Sequence, residues 1–110
     1  MTGSEYQLQA ARTINHDLQP YELSLHALHG MTSEVGEIHG IYQKAFQGHF
    51  PDEEHLKKEV GDLLWFIAEY CTVHGWCLSD IMQMNIDKLK ARYPDGFSTE
   101  RSTHREEGDI

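Results

Sequence analysis

Apolar side chains recur three and four residues apart along almost the whole chain, and two-residue alternation is nearly absent. That period lines up one face of an α-helix, so helices rather than strands are predicted. Four stretches carry it, at about residues 4–14, 20–46, 52–75 and 79–93. Tyr6, Ala10 and Ile14 share a side of the first. Leu23, Ala27, Met31, Val35, Ile38 and Tyr42 form the stripe of the second, and Leu56, Val60, Leu63, Phe66, Ile67 and Tyr70 that of the third. Met82, Ile86, Leu89 and Tyr93 line the fourth. The punctuation agrees. Pro20 suits the first turn of the second helix, and Gly48 and Pro51 in "QGHFPD" stop it. Asp52 can cap the third helix, Gly75 can end it, and Ser79 and Asp80 can open the fourth. Pro94 and Gly96 close that last helix. An all-α, four-helix bundle over residues 1–98 follows, with 99–110 a polar tail expected to be mobile.

Two interruptions of the stripes point to chemistry. Glu34 falls on the apolar side of the second helix, with Glu37 one turn further at its margin. Glu59 falls on the apolar side of the third helix, with Asp62 one turn on. The two pairs are placed symmetrically about Gly48, so an antiparallel hairpin closing there brings all four acids to nearly one level. Carboxylates facing a core are costly unless a cation or a proton matches them. Oxygen-only ligands select hard ions, which makes Mg²⁺ the first expectation and Mn²⁺ the second. Mg²⁺ held this way keeps sites for phosphate oxygens, so the cluster suits a polyphosphate.

The fourth helix carries the opposite charge. Asn85, Lys88 and Arg92 lie at i, i+3 and i+7 along one edge of its stripe, where they can hold phosphate oxygens. Lys44, two turns beyond Glu37, can reach a phosphate or balance the acids.

Composition narrows the field. The 110 residues suit one domain with a modest core, and the formal net charge is −9. That sign disfavours nucleic-acid wrapping and anionic lipid surfaces. No signal peptide and no membrane span are read in the chain. Cys71 and Cys77 are too few for a disulfide scaffold and six residues apart, wrong for a C-x-x-C motif, so reduced thiols in a cytoplasm are expected.

E-x-x-E, 21 residues and E-x-x-D, followed by "NIDKLKARYPDGFS", resembles the MazG-like all-α nucleoside triphosphate pyrophosphohydrolases. The opening "EYQLQAARTI" is similar to the first helix of their compact, single-domain members, phage-encoded ones included. The resemblance covers about residues 5–98 and implies a MazG-like bundle that cleaves (deoxy)nucleoside triphosphates between the α and β phosphates, releasing monophosphate and pyrophosphate. It implies Glu34, Glu37, Glu59 and Asp62 as Mg²⁺ ligands and Asn85, Lys88, Arg92 and Tyr93 as phosphate contacts. It also implies a homodimer or homotetramer with sites near the subunit interface. Hydrolysis needs an activated water, which Glu34 or Glu37 could orient or deprotonate. Relatives range from house-cleaning enzymes to ones selective for a single base.

Other residues carry less. His26 and His29, with Glu22, lack a third ligand and are expected to be packed or exposed. No Glu begins an E-x-x-H, which argues against a helical di-iron protein. Trp65 lies off the main stripe of its helix, so it is expected at a subunit interface or, second, against a base. The competing function is a non-catalytic oligomerisation or regulatory module holding a structural divalent ion.

Overall fold

The computed structural model describes residues 1–110, and every regular element in it is helical. Helix α1 spans Gly3–Ala10 and tightens into a 3-10 turn over Ala11–Thr13. It is shorter than the sequence period suggests, because Ile14 turns extended and buries its side chain. Helix α2 runs Pro20–Ala45, α3 Glu53–His74, α4 Leu78–Arg92 and a short α5 Thr99–Thr103. The ends follow local chemistry. Gln19 and Glu22 form a reciprocal capping box ahead of Pro20. Asp52 accepts the Glu54 N–H, and Gly75 takes the left-handed conformation that ends α3. Cys77 rather than Ser79 caps α4. The Ser79 hydroxyl is instead used by α1, accepting from the Ser4 N–H at 2.8 Å.

Helices α2 and α3 form an antiparallel hairpin about Gly48. Its rungs are Ser24 with His74, His26 with Glu69, and Gly30 beneath Phe66, each centred on or beside that glycine. Gly30 permits the close approach, since a Cβ there would lie 2.2 Å from the Phe66 ring. Helix α1 lies along α3. Its Gln7 amide donates to Trp76 O and Thr72 Oγ1 while accepting from the Leu78 N–H, which pins the α3–α4 turn. Beneath it Tyr6, Ala10 and Ile67 cover Ala68, Cys71 and Leu78.

The outer halves of the hairpin have no further layer, so Val35, Tyr42 and Val60, expected in the core, are exposed. Helix α4 packs substantially on α1 alone, and its residues 81–90 are all exposed, Met82, Ile86 and Leu89 included. The radius of gyration, 17.4 Å, exceeds the ~13 Å of a compact chain of this length. The tail expected to be mobile carries α5, capped by Ser98, and returns to α4 through an Arg92–Asp109 ion pair. No helix is long and apolar enough to cross a membrane.

Candidate active site

The acid cluster forms where α2 and α3 face each other, away from the core beneath α1. Glu34, Glu59 and Asp62 present carboxylate oxygens that all lie within 4.8 Å of one another. Glu34 is the most constrained. Its Oε2 is buried with no hydrogen-bond partner, a situation native structures rarely leave unexplained. Its close approach to Glu59 is favourable only with a shared proton. That hydrogen bond, then burial, then the charges of Glu59, Asp62 and Glu37 push the Glu34 carboxyl up to about 7. A cation in the cluster would replace the proton and satisfy the orphaned oxygen, so the residues fit a hard divalent ion.

Glu37 belongs to the neighbourhood but not to the converging set. Three residues along a helix rotate a side chain by about 60° to one side of its predecessor, and Glu37 turns out to solvent. There it lines a cavity of about 260 Å³ with Ser33, Gly40, Lys44 and His55. Lys44 thereby shares a cavity with Glu37. His55 was missed. Its Nε2 lies 3.0 Å from Glu59 Oε1, and the signal was the i, i+4 spacing to a core-facing acid. Burial first, then the charge of Asp62, raises the Tyr6 phenol above its usual value, so α1 lies within electrostatic reach of the cluster.

The expected phosphate contacts lie on and just after α4, which packs substantially on α1 and not on the helices that carry the acids. Asn85 and Lys88 are exposed on α4. The Arg92 fork is held by Asp109, and Tyr93 packs against Phe97 with ring centroids 5.4 Å apart. Trp65 is committed inside the chain. Its indole N–H donates to Ala10 O and Thr13 Oγ1, and its ring meets Phe66 edge-on, so it ties α1 to the hairpin. His26 makes both of its Glu69 contacts through Nδ1, at 2.9 and 3.0 Å, and Glu69 is almost wholly buried. Glu69 was missed as well, although the symmetry about Gly48 that pairs the acids also sets it opposite His26.

Residues 23–97 match the family model of the MazG nucleotide pyrophosphohydrolase domain. The chain belongs to that family. The MazG match takes in α2 from Leu23 onward, α3, α4 and the turn after it, and so every acid of the cluster and all of Asn85, Lys88, Arg92 and Tyr93. It leaves α1, α5 and the returning tail outside. The chain is also 31% identical over 72 residues to the Gene 37 protein of Mycobacterium phage L5, covering 61% of this chain and 63% of that protein. It therefore spans less than two thirds of that relative. No solved structure matches.

Proposed function

We propose that the chain hydrolyses (deoxy)nucleoside triphosphates at the α–β phosphate junction, giving nucleoside monophosphate and pyrophosphate. The observation that carries this reading is the convergence of Glu34, Glu59 and Asp62 around a buried, unpartnered carboxylate oxygen, in a MazG domain. Mg²⁺, with Mn²⁺ as substitute, would be held by Glu34, Glu59 and Asp62 with Glu37 alongside, and would supply neutralising charge for phosphate oxyanions and an acidified water. Glu37, exposed beside the cluster, is the acid best placed to orient that water and take its proton as the bridging P–O bond breaks. Lys44 and His55, in the same cavity, can hold the charge of a leaving pyrophosphate.

A second copy of the chain completes the picture. The accessible surface is 8321 Å², against the ~6,200 Å² expected of a compact chain of this mass. The excess, about 2,100 Å², is ample for a stable interface, which needs ~800 Å² a side. The exposed apolar face of α4 is the surface to be covered, and a homodimer or pair of dimers would lay Asn85 and Lys88 against acids of the partner subunit. Incubation with each dNTP and Mg²⁺, followed by product analysis, tests the chemistry. Monophosphate and pyrophosphate support it; diphosphate and phosphate, or metal binding without turnover, overturn it.

A further inference from the structure

Four of the nine Lys and Arg residues line one cavity of about 250 Å³ at the end of α4: Lys88 and Arg92 from the helix, Arg101 and Arg105 from the segment that follows. In a chain of net charge −9 this gathers four cations against two carboxylates, Glu106 and Asp109, in the same lining. The same segment brings its own anion to them. Arg92 Nε donates to Asp109 Oδ2 at 2.8 Å and Nη2 to Oδ1 at 2.7 Å. The two side chains are only 9% and 17% exposed, unlike the solvated ion pairs elsewhere on the surface. Arg92 hydrogen bonds hold the Asp109 carboxyl below the usual carboxylate range, and the charges of Arg105 and Lys88 add to the effect. Asp109 therefore bonds Arg92 directly and feels the charge of Lys88 from the same helix.

A guanidinium fork reads a carboxylate and a phosphate with the same geometry, two parallel N–H···O bonds to oxygens on one centre. The Nε–Nη2 edge of Arg92 cannot hold both at once. We propose that residues 98–110 form an intramolecular competitor for the phosphate site of α4: Asp109 occupies Arg92 until a phosphate group displaces it, so substrate binding and tail release are one event. This rests on the hydrolase reading and adds to it a regulation of the same site, by residues outside the MazG match.

The test has two arms on the full chain. Hydrogen exchange of the amides in 99–110 is followed with and without Mg²⁺ and inorganic pyrophosphate, with binding measured by calorimetry. Pyrophosphate should bind and speed exchange across this segment. Unchanged or slowed exchange with pyrophosphate bound, or no binding to the wild type and to Asp109→Asn alike, overturns the proposal. In the second arm Asp109→Asn should lower KM for the nucleotide about three- to tenfold with kcat unchanged, the factors expected when the tail is closed ~70–90% of the time. A lower melting temperature with unchanged KM would make the pair a structural anchor and overturn the proposal. If pyrophosphate releases the tail while no triphosphate is hydrolysed, the competitor stands and the hydrolase reading falls.

Discussion

Glu34→Gln should make the metal-free protein more stable and the metal response smaller. Glu34 carries a buried oxygen without a partner and sits against Glu59 and Asp62. An amide in its place can donate to the Glu59 carboxylate, a gain on the order of 1 kcal/mol. For a domain of this size that raises the melting temperature by about 5 °C. In the wild type, metal bound to the folded state alone stabilises by RT ln(1 + [L]/Kd), ~2.7 kcal/mol at a hundredfold excess over Kd. Tenfold weaker binding in the variant removes ~1.4 kcal/mol of that gain. The pH dependence has a definite sign. The Glu34 pKa is raised from 4.5 to about 7, so between these values the unfolded chain releases a proton that the folded chain keeps. Stability of the metal-free wild type therefore falls as pH rises through this window, and the variant loses that slope. Metal must displace the same proton, so wild-type affinity for Mg²⁺ should climb as pH rises toward about 7 and level off above it. Thermal melts of both proteins at fixed concentration, with chelator and with millimolar Mg²⁺, from pH 5 to 8, decide the matter. Equal metal gains in the two proteins, or a variant less stable without metal, would refute the reasoning.

Glu59→Gln should cost at least about a hundredfold in turnover, ~2.7 kcal/mol of barrier, with helical content unchanged by circular dichroism; near wild-type rates across a Mg²⁺ titration would remove Glu59 from the metal site. Lys88→Ala should raise the Kd for a nonhydrolysable triphosphate analogue while leaving Mn²⁺ affinity alone, and a parallel loss of both would place Lys88 elsewhere. Light scattering at micromolar concentration should find a dimer or tetramer, and charged substitutions at Ile86 and Leu89 should dissociate it. Gly30→Ala should destabilise by about 1–3 kcal/mol in denaturant unfolding, because its Cβ enters the Phe66 ring; a neutral result would mean the hairpin can open there without cost.

Much of this molecule is written in local pattern. The 3.6-residue period, Pro20, Asp52 and Gly75 determine where α2 and α3 begin and end, since each acts within a turn of its own position. The placing of Glu34 and Glu59 on apolar stripes likewise needs only the helix angle, and symmetry about Gly48 brings them together. What period cannot supply is how one helix meets the next. A stripe gives a direction about its own axis, but the hairpin alone decides that Glu34, Glu59 and Asp62 converge while Glu37 turns outward, and that Val35 and Val60 find nothing to cover them. Trp65 looked unpartnered because its acceptors, Ala10 O and Thr13 Oγ1, lie more than fifty residues away. The tail looked mobile because Ser, Thr and charged residues carry no period, and its tether, Arg92 to Asp109, is a single desolvated ion pair across 17 residues. The splay of α4 is tertiary too: its apolar side is legible from Met82, Ile86 and Leu89, but only the packing decides that α4 rests substantially on α1 alone and leaves most of that side exposed.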